Sequence, residues 1–197
     1  SGTITYSGHG GSSVMGGMDD MTPNAYEEAW DSLTQTGTDS VINGVGGNDI
    51  IRYDSPSFSG VTVHASIMMN SAAAYNGVYN DFGVVVKPEM AEGLEIGYAF
   101  GETEAAAGTP IDDSTVYVKY AFGPVTIGYQ ESESDATAAS NSDESETLGI
   151  SYQITDDLSV SYNTHEYNDG AWTTDEEYSG VSASYTMGGI TVSGHMN

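Results

Sequence analysis

Chemistry in this chain would have to come from carboxylates and histidines. The 197 residues carry 29 Asp+Glu against 3 Lys+Arg, a formal charge of −26, and they include no cysteine. Without thiols there is no disulfide framework, thiolate metal site or cysteine nucleophile. His9, His64, His165 and His195 are scattered, and none has the His-x-x-x-His or glutamate-flanked spacing that holds zinc. Gly8-His9-Gly10-Gly11-Ser12 could offer backbone N–H groups to an oxyanion, yet no Gly-x-Ser-x-Gly elbow accompanies it. Gly46-Gly47-Asn48-Asp49-Ile50 has the pattern of one calcium-binding solenoid repeat, and a solenoid needs several stacked copies. Nucleic acid is excluded as a partner, because displacing phosphate counterions takes Lys and Arg, and Arg52, Lys87 and Lys119 are the whole supply. The acids favour cations instead. The expectation is therefore no enzyme, no catalytic residue and no cofactor, apart from divalent cations such as calcium held weakly at acidic loops.

The elements carrying these residues read as strands. From residue 49 onward, apolar or aromatic residues fall at every second position, a period of 2 rather than 3.6. Val61, Val63, Ala65 and Ile67 alternate with Thr62, His64 and Ser66; Val116, Val118, Tyr120 and Phe122 alternate with Thr115, Tyr117 and Lys119; Leu158, Val160 and Tyr162 alternate with Ser159, Ser161 and Asn163. About ten or eleven such strands can be counted. Short turns fall at Pro56-Ser57, Pro88–Gly93, Gly123-Pro124, Thr155–Asp157 and Gly188-Gly189, while long polar loops are expected at about 69–80, 101–113, 131–145 and 165–177. Short turns at one end and long loops at the other describe an antiparallel up-and-down outer-membrane barrel. Residues 9–48 break the rhythm, and a loop of that length is usually functional. Within it Pro23–Leu33 is predicted as a short helix, with Thr22 as N-cap, Pro23 at the first helical position and acids in the first turns.

Alternation alone leaves open which face is inside. A soluble barrel packs its apolar face inward, whereas a membrane barrel turns it to lipid and keeps a polar lumen. Three features favour inversion. Aromatic residues recur near the turns (Tyr53, Phe100, Phe122, Tyr129, Tyr152, Tyr162, Tyr185), as interfacial girdles do. Many polar-face residues are small. The acids avoid the apolar face, where a mid-membrane charge costs roughly 2–4 kcal/mol. Thr62, His64, Ser66, Lys119, Thr126 and Ser161, with Ser151, Ser159, Ser182 and Thr191, are then expected to line a wet lumen.

The run Gly47-Asn48-Asp49-Ile50-Ile51-Arg52-Tyr53-Asp54-Ser55-Pro56-Ser57-Phe58-Ser59-Gly60-Val61-Thr62-Val63, with Gly2-Thr3-Ile4-Thr5-Tyr6-Ser7-Gly8 upstream, resembles the strands flanking the constriction loop of trimeric Gram-negative general porins. The resemblance covers residues 1 to about 68; beyond that only the strand rhythm continues. It implies one porin domain over 1–197, with 9–48 as the third loop, folded inward to narrow the pore. Asp19, Asp20, Glu27, Glu28, Asp31 and Asp39 would make that constriction negative, with Arg52 as a wall counter-charge; for any single acid, simple solvation or helix capping is the alternative. It further implies roughly sixteen strands, hence segments of the full protein beyond both ends of this sequence, a homotrimer and an outer-membrane location. The function expected is passive diffusion of small hydrophilic solutes and ions, with cations preferred. A non-channel surface protein, adhesin or lattice unit, is the rival.

Overall fold

Side chains spaced two apart share one face of a strand, and here that pattern builds one continuous antiparallel meander. The computed structural model describes residues 1–30, 44–68, 77–105, 110–136, 142–170 and 175–197. Its main sheet has 11 strands: β1 (Thr3–Ser7), β4 (Ile50–Asp54), β5 (Val61–Met68), β6 (Gly77–Val86), β7 (Leu94–Ala105), β8 (Ile111–Phe122), β9 (Val125–Ala136), β10 (Ser142–Thr155), β11 (Leu158–Asp169), β12 (Glu176–Met187) and β13 (Ile190–Met196). Each pairs with the next, and β1 and β13 are the two edges. Between β1 and β4, the two short strands β2 (Gly11–Ser12) and β3 (Gly46–Gly47) pair with each other and close the stem of the long loop.

The five tight turns stand where their sequences require them. Gly188 and Gly189 both have positive φ, 57° and 85°, between the paired residues Met187 and Ile190. A two-residue turn matching the strand twist needs that conformation twice, which glycine adopts without steric cost. At the other end the strands run further than the sequence suggests. β7 continues to Ala105, β9 to Ala136 and β11 to Asp169, and β10 begins at Ser142, so Glu131, Glu133, Asp135, Asp143, Glu144 and Glu146 stand on strands rather than in loops. The physical reason lies in Glu131-Ser132-Glu133-Ser134-Asp135: the period of two persists after its hydrophobic member has been replaced by an acid. Such a strand keeps its ladder while leaving the membrane.

Inside and outside are settled by burial. Val118, Ile127 and Ile150 are 40%, 42% and 45% exposed, while their neighbours across the strand, Tyr117, Gly128 and Gly149, are buried. Val160 shares the outer face, in register with Tyr152 and Ala183. An exposed apolar surface spread over a whole sheet marks contact with lipid or another protein. Beyond it on the same outer face stand acids. Glu131, Glu146, Glu166 and Glu177 are direct cross-strand partners in sequence from β9 to β12, and Glu133 faces Glu144 in the next row.

Candidate pore constriction

On the inner face, polar side chains recur at the positions where the loop's backbone needs partners. Val14 N–H donates to Ser66 Oγ on β5 (3.2 Å), Met15 N–H to Asp81 Oδ2 on β6 (2.8 Å), and Met21 N–H to Gln130 Oε1 on β9 (2.8 Å). Further along, Ala25 N–H donates to Ser161 Oγ on β11 (2.9 Å) and Tyr26 N–H to Ser182 Oγ on β12 (3.2 Å), while Asn163 Nδ2 donates to the Pro23 carbonyl (3.2 Å). The loop thus crosses the wall from β5 to β12. Asp81 belongs to a cross-strand row that continues through Gly101, Asp113, Ser134 and Asp143 to Asp169. Ser161 lies eight residues along β11 from Asp169, toward the tight-turn end. At about 3.3 Å per residue and about 4.8 Å between strands, that offset is a slant of about 45°. The strands of a transmembrane barrel tilt by a similar angle. A chain following this slant runs level around the inside of the wall.

Two kinds of contact hold it there. Val14, Met15 and Met18 are almost wholly buried against Val85, Ala99 and Tyr117, with Met21 beside them. Glycines let the loop lie this close: a Cβ on Gly83 would stand 2.6 Å from Val14 Cγ1, and one on Gly128 would stand 2.5 Å from Pro23 Cδ. The far end is aromatic. Trp30 packs at a tilt against His165 with ring centroids 4.3 Å apart, His165 Nδ1 shares a hydrogen bond with Thr147 Oγ1 at 2.7 Å, and Tyr26 approaches His195 at 6.1 Å.

These contacts explain why the predicted helix over Pro23–Leu33 is absent from its described part. Residues 23–30 form bends and a turn; Asp31, Ser32 and Leu33 lie outside the described residues. Two backbone groups that would make the first helical bonds instead bond the wall: Tyr26 N–H goes to Ser182 and the Pro23 carbonyl to Asn163. Thr22 makes no N-cap bond. Among the described residues the loop forms one helical turn, a 3-10 turn at Met15–Gly17.

Asp19, Asp20, Glu27 and Glu28 lie within ten residues of one another along the loop, and the other three act on Asp20; Asp39, like Asp31, lies outside the described residues. Asp20 reaches solvent yet is crowded: desolvation first, then a hydrogen bond to Glu28 and the charges of Glu28, Asp19 and Glu27 push its carboxyl up to about 8. Asp19 is raised too, by burial and then by Glu28. Asn24 donates through Nδ2 to Glu28 Oε1.

Arg52 stands on the wall at the loop's stem with its guanidinium committed, Nε to Asp54 Oδ1 (2.9 Å) and Nη1 to the Ser13 carbonyl (3.0 Å). His64 Nδ1 meets the same Asp54 oxygen at 2.6 Å. Lys119 and Lys87 both pair with Glu95, at 3.9 Å and 3.0 Å. All 3 Lys+Arg of the chain are therefore tied to a carboxylate. Of the expected lumen residues, Thr62, His64, Lys119 and Thr126 are half-buried on the inner face, whereas Ser66 and Ser161 hold the loop. The sequence reading missed Asp81, Gln130 and Asn163 as anchors. Their signal was size, since each is a longer polar side chain among inner-face glycines, serines and threonines.

An antiparallel meander with its apolar face outward and a loop laid across its inner face defines a transmembrane β-barrel of the bacterial outer membrane. The chain belongs to the Gram-negative porin family, whose model matches residues 2–195. Among solved structures it is similar to in-vitro folded OmpT, an outer membrane protein of Vibrio cholerae, with a TM-score of 0.60 and 12% identity over 98% of this chain and 64% of that one. It is also similar to the loop L8 deletion mutant of OmpT, with a TM-score of 0.60 and 13% identity over 99% and 71% of the two chains. At these identities the likeness concerns the fold alone. The chain spans less than two-thirds of the first of these proteins. No curated protein matches by sequence.

Proposed function

We propose that this chain forms a passive diffusion channel for small hydrophilic solutes and ions, with cations preferred. One observation carries the reading. The loop that narrows the lumen presents four carboxylates, while the 3 basic side chains of the chain are all paired on the wall, Arg52 with Asp54 and both lysines with Glu95. A field from unopposed acids, focused by low-dielectric walls, enriches cations at the narrowest level. Diffusion needs no catalytic group, and the reading includes none. Divalent cations such as calcium gather diffusely along the outer acidic rows; among the described residues no three carboxylate or imidazole groups converge as a cage. A homotrimer, expected for a porin of this kind, belongs to the same reading. Planar-bilayer recording under a salt gradient tests it: discrete conductance with a cation-signed reversal potential is expected, and an anion-signed potential sinks the preference. A non-channel surface protein would give no conductance at all.

A further inference from the structure

The constriction loop divides the inner wall into two zones, and the charges of the wall are sorted between them. On the long-loop side the charged residues of the described inner face are all acids: Asp113 on β8, Asp143 on β10, Asp169 on β11 and Glu176 on β12. His165, on the same side, is buried under Trp30. Asp113 stands four residues from Tyr117, which packs against the loop, and Asp169 and Glu176 stand six from the loop anchors Asn163 and Ser182. These even steps keep one face and carry the acids about 13–20 Å along the strands beyond the loop. The 3 Lys+Arg stand level with the loop or on its tight-turn side. Arg52 lies opposite the loop anchor Ser66 and pairs with Asp54; Lys119 and Lys87 lie two residues past Tyr117 and Val85, and both pair with Glu95. Among the described residues one zone thus holds four acids and no Lys or Arg, and the other holds three such bases and two acids. Resting on the channel reading above, we propose that this lumen rectifies: it passes more current when cations are driven from the long-loop mouth toward the tight turns than when they are driven back.

Each zone decides which ions carry the current through it. Beside acids with no base among them cations carry nearly all of it, whereas beside paired charges anions take a share. A voltage that drives cations from the acid zone toward the bases brings cations to the constriction from one side and anions from the other. Salt accumulates there and conductance rises. The opposite voltage draws both ions away from the constriction, and conductance falls. Tight turns face the periplasm in outer-membrane barrels, so the easy direction for cations is inward. Flow still needs a voltage or a gradient, and the channel stays passive. The Debye length is about 10 Å at 0.1 M and about 3 Å at 1 M, so the sorted charges govern the lumen in dilute salt and lose their hold in concentrated salt.

The experiment records single channels at both signs of voltage in symmetric potassium chloride, at about 0.1 M and about 1 M, and reversal potentials in a salt gradient. The chain has no cysteine, so a biotin on Ser57→Cys, in an exposed tight turn, reports orientation when streptavidin is added to one chamber. Wild type should carry the larger current with cations driven from the long-loop mouth at about 0.1 M, and the two currents should become equal near about 1 M. The triple variant Asp113→Asn, Asp143→Asn, Asp169→Asn should bring the current ratio close to one and lower cation preference. The double variant Lys87→Gln, Lys119→Gln unpairs Glu95 and makes the turn side negative, so it should also lower the ratio while raising cation preference. Equal wild-type currents in dilute salt, a larger current in the opposite sense, or a ratio that ignores the triple variant would overturn the rectifier. A cation-signed reversal potential in that case keeps the channel reading. Anion-signed potentials with a ratio that still follows both variants would instead sink the cation preference and leave the rectifier in place.

Discussion

Two described stretches of the constriction loop are held by different balances of contact. From Ser13 to Met18 it is fastened by burial: Val14 and Met15 have no exposed surface and sit against Ala99 and Tyr117, with Asp81 accepting from Met15 N–H at 2.8 Å. From Met21 to Trp30 it is fastened chiefly by hydrogen bonds to Gln130, Asn163, Ser161 and Ser182, with Pro23 and the small Ala29 set over wall glycines and Trp30 tilted against His165. A neutral hydrogen bond nets about 0.5–1.5 kcal/mol, whereas emptying the site of a buried methionine costs about 2–5 kcal/mol. The first stretch is a fixed root, and the second is an adjustable limb. All four described acids are carried on or beside that limb, where small changes in charge can act on position.

The sharpest way to break this contrast is Met15→Ala. Loss of the buried side chain should weaken docking of the root by about 2–5 kcal/mol, seen as faster hydrogen exchange at the Met15 and Met18 amides and as a noisier, larger conductance. Gly83→Val comes next, since its Cβ would stand 2.6 Å from Val14 Cγ1; overpacking should cost about 1–3 kcal/mol and displace the root while the sheet still folds. Ser161→Ala and Ser182→Ala should each cost the limb only about 0.5–1.5 kcal/mol, exposing Ala25 and Tyr26 amides to exchange without changing the root. Equal exchange at both stretches in any of these variants would erase the distinction. Smallest in stability is Lys119→Ala, about 0–1 kcal/mol for a partly exposed pair. It removes one positive charge from the inner face while Lys87 still holds Glu95, so the reversal potential should move toward cations even though the melting temperature hardly does.

Much of the barrel was legible because its signals are local. Alternation from Val61 to Tyr185, and turn chemistry such as Gly188-Gly189, are written in neighbouring residues, and both stand in the structure with the faces expected. The loop was harder. Pro23-Asn24-Ala25-Tyr26-Glu27-Glu28 has local helix signals, but its backbone is bound by Asn163, Ser161 and Ser182, more than a hundred residues away. Long-range partners outweighed local propensity. The strand ends were misjudged for a different reason: in Glu131–Asp135 polarity suggests a loop while the period still says strand. Small inner-face residues suggested a wide lumen, whereas Gly83 and Gly128 are notches in which another segment rests.

Those extended ends leave the protein with an appetite for brine. Glutamates facing each other across paired strands, as Glu131, Glu146, Glu166 and Glu177 do, stand roughly 5 Å apart at the backbone and repel. Ionic atmospheres screen over about 8 Å at 0.15 M and about 3 Å at 1 M, so dilute media leave neighbouring charges in view of one another and concentrated salt hides them. The rim of this barrel is accordingly tightest in saline surroundings and slackens on desalting.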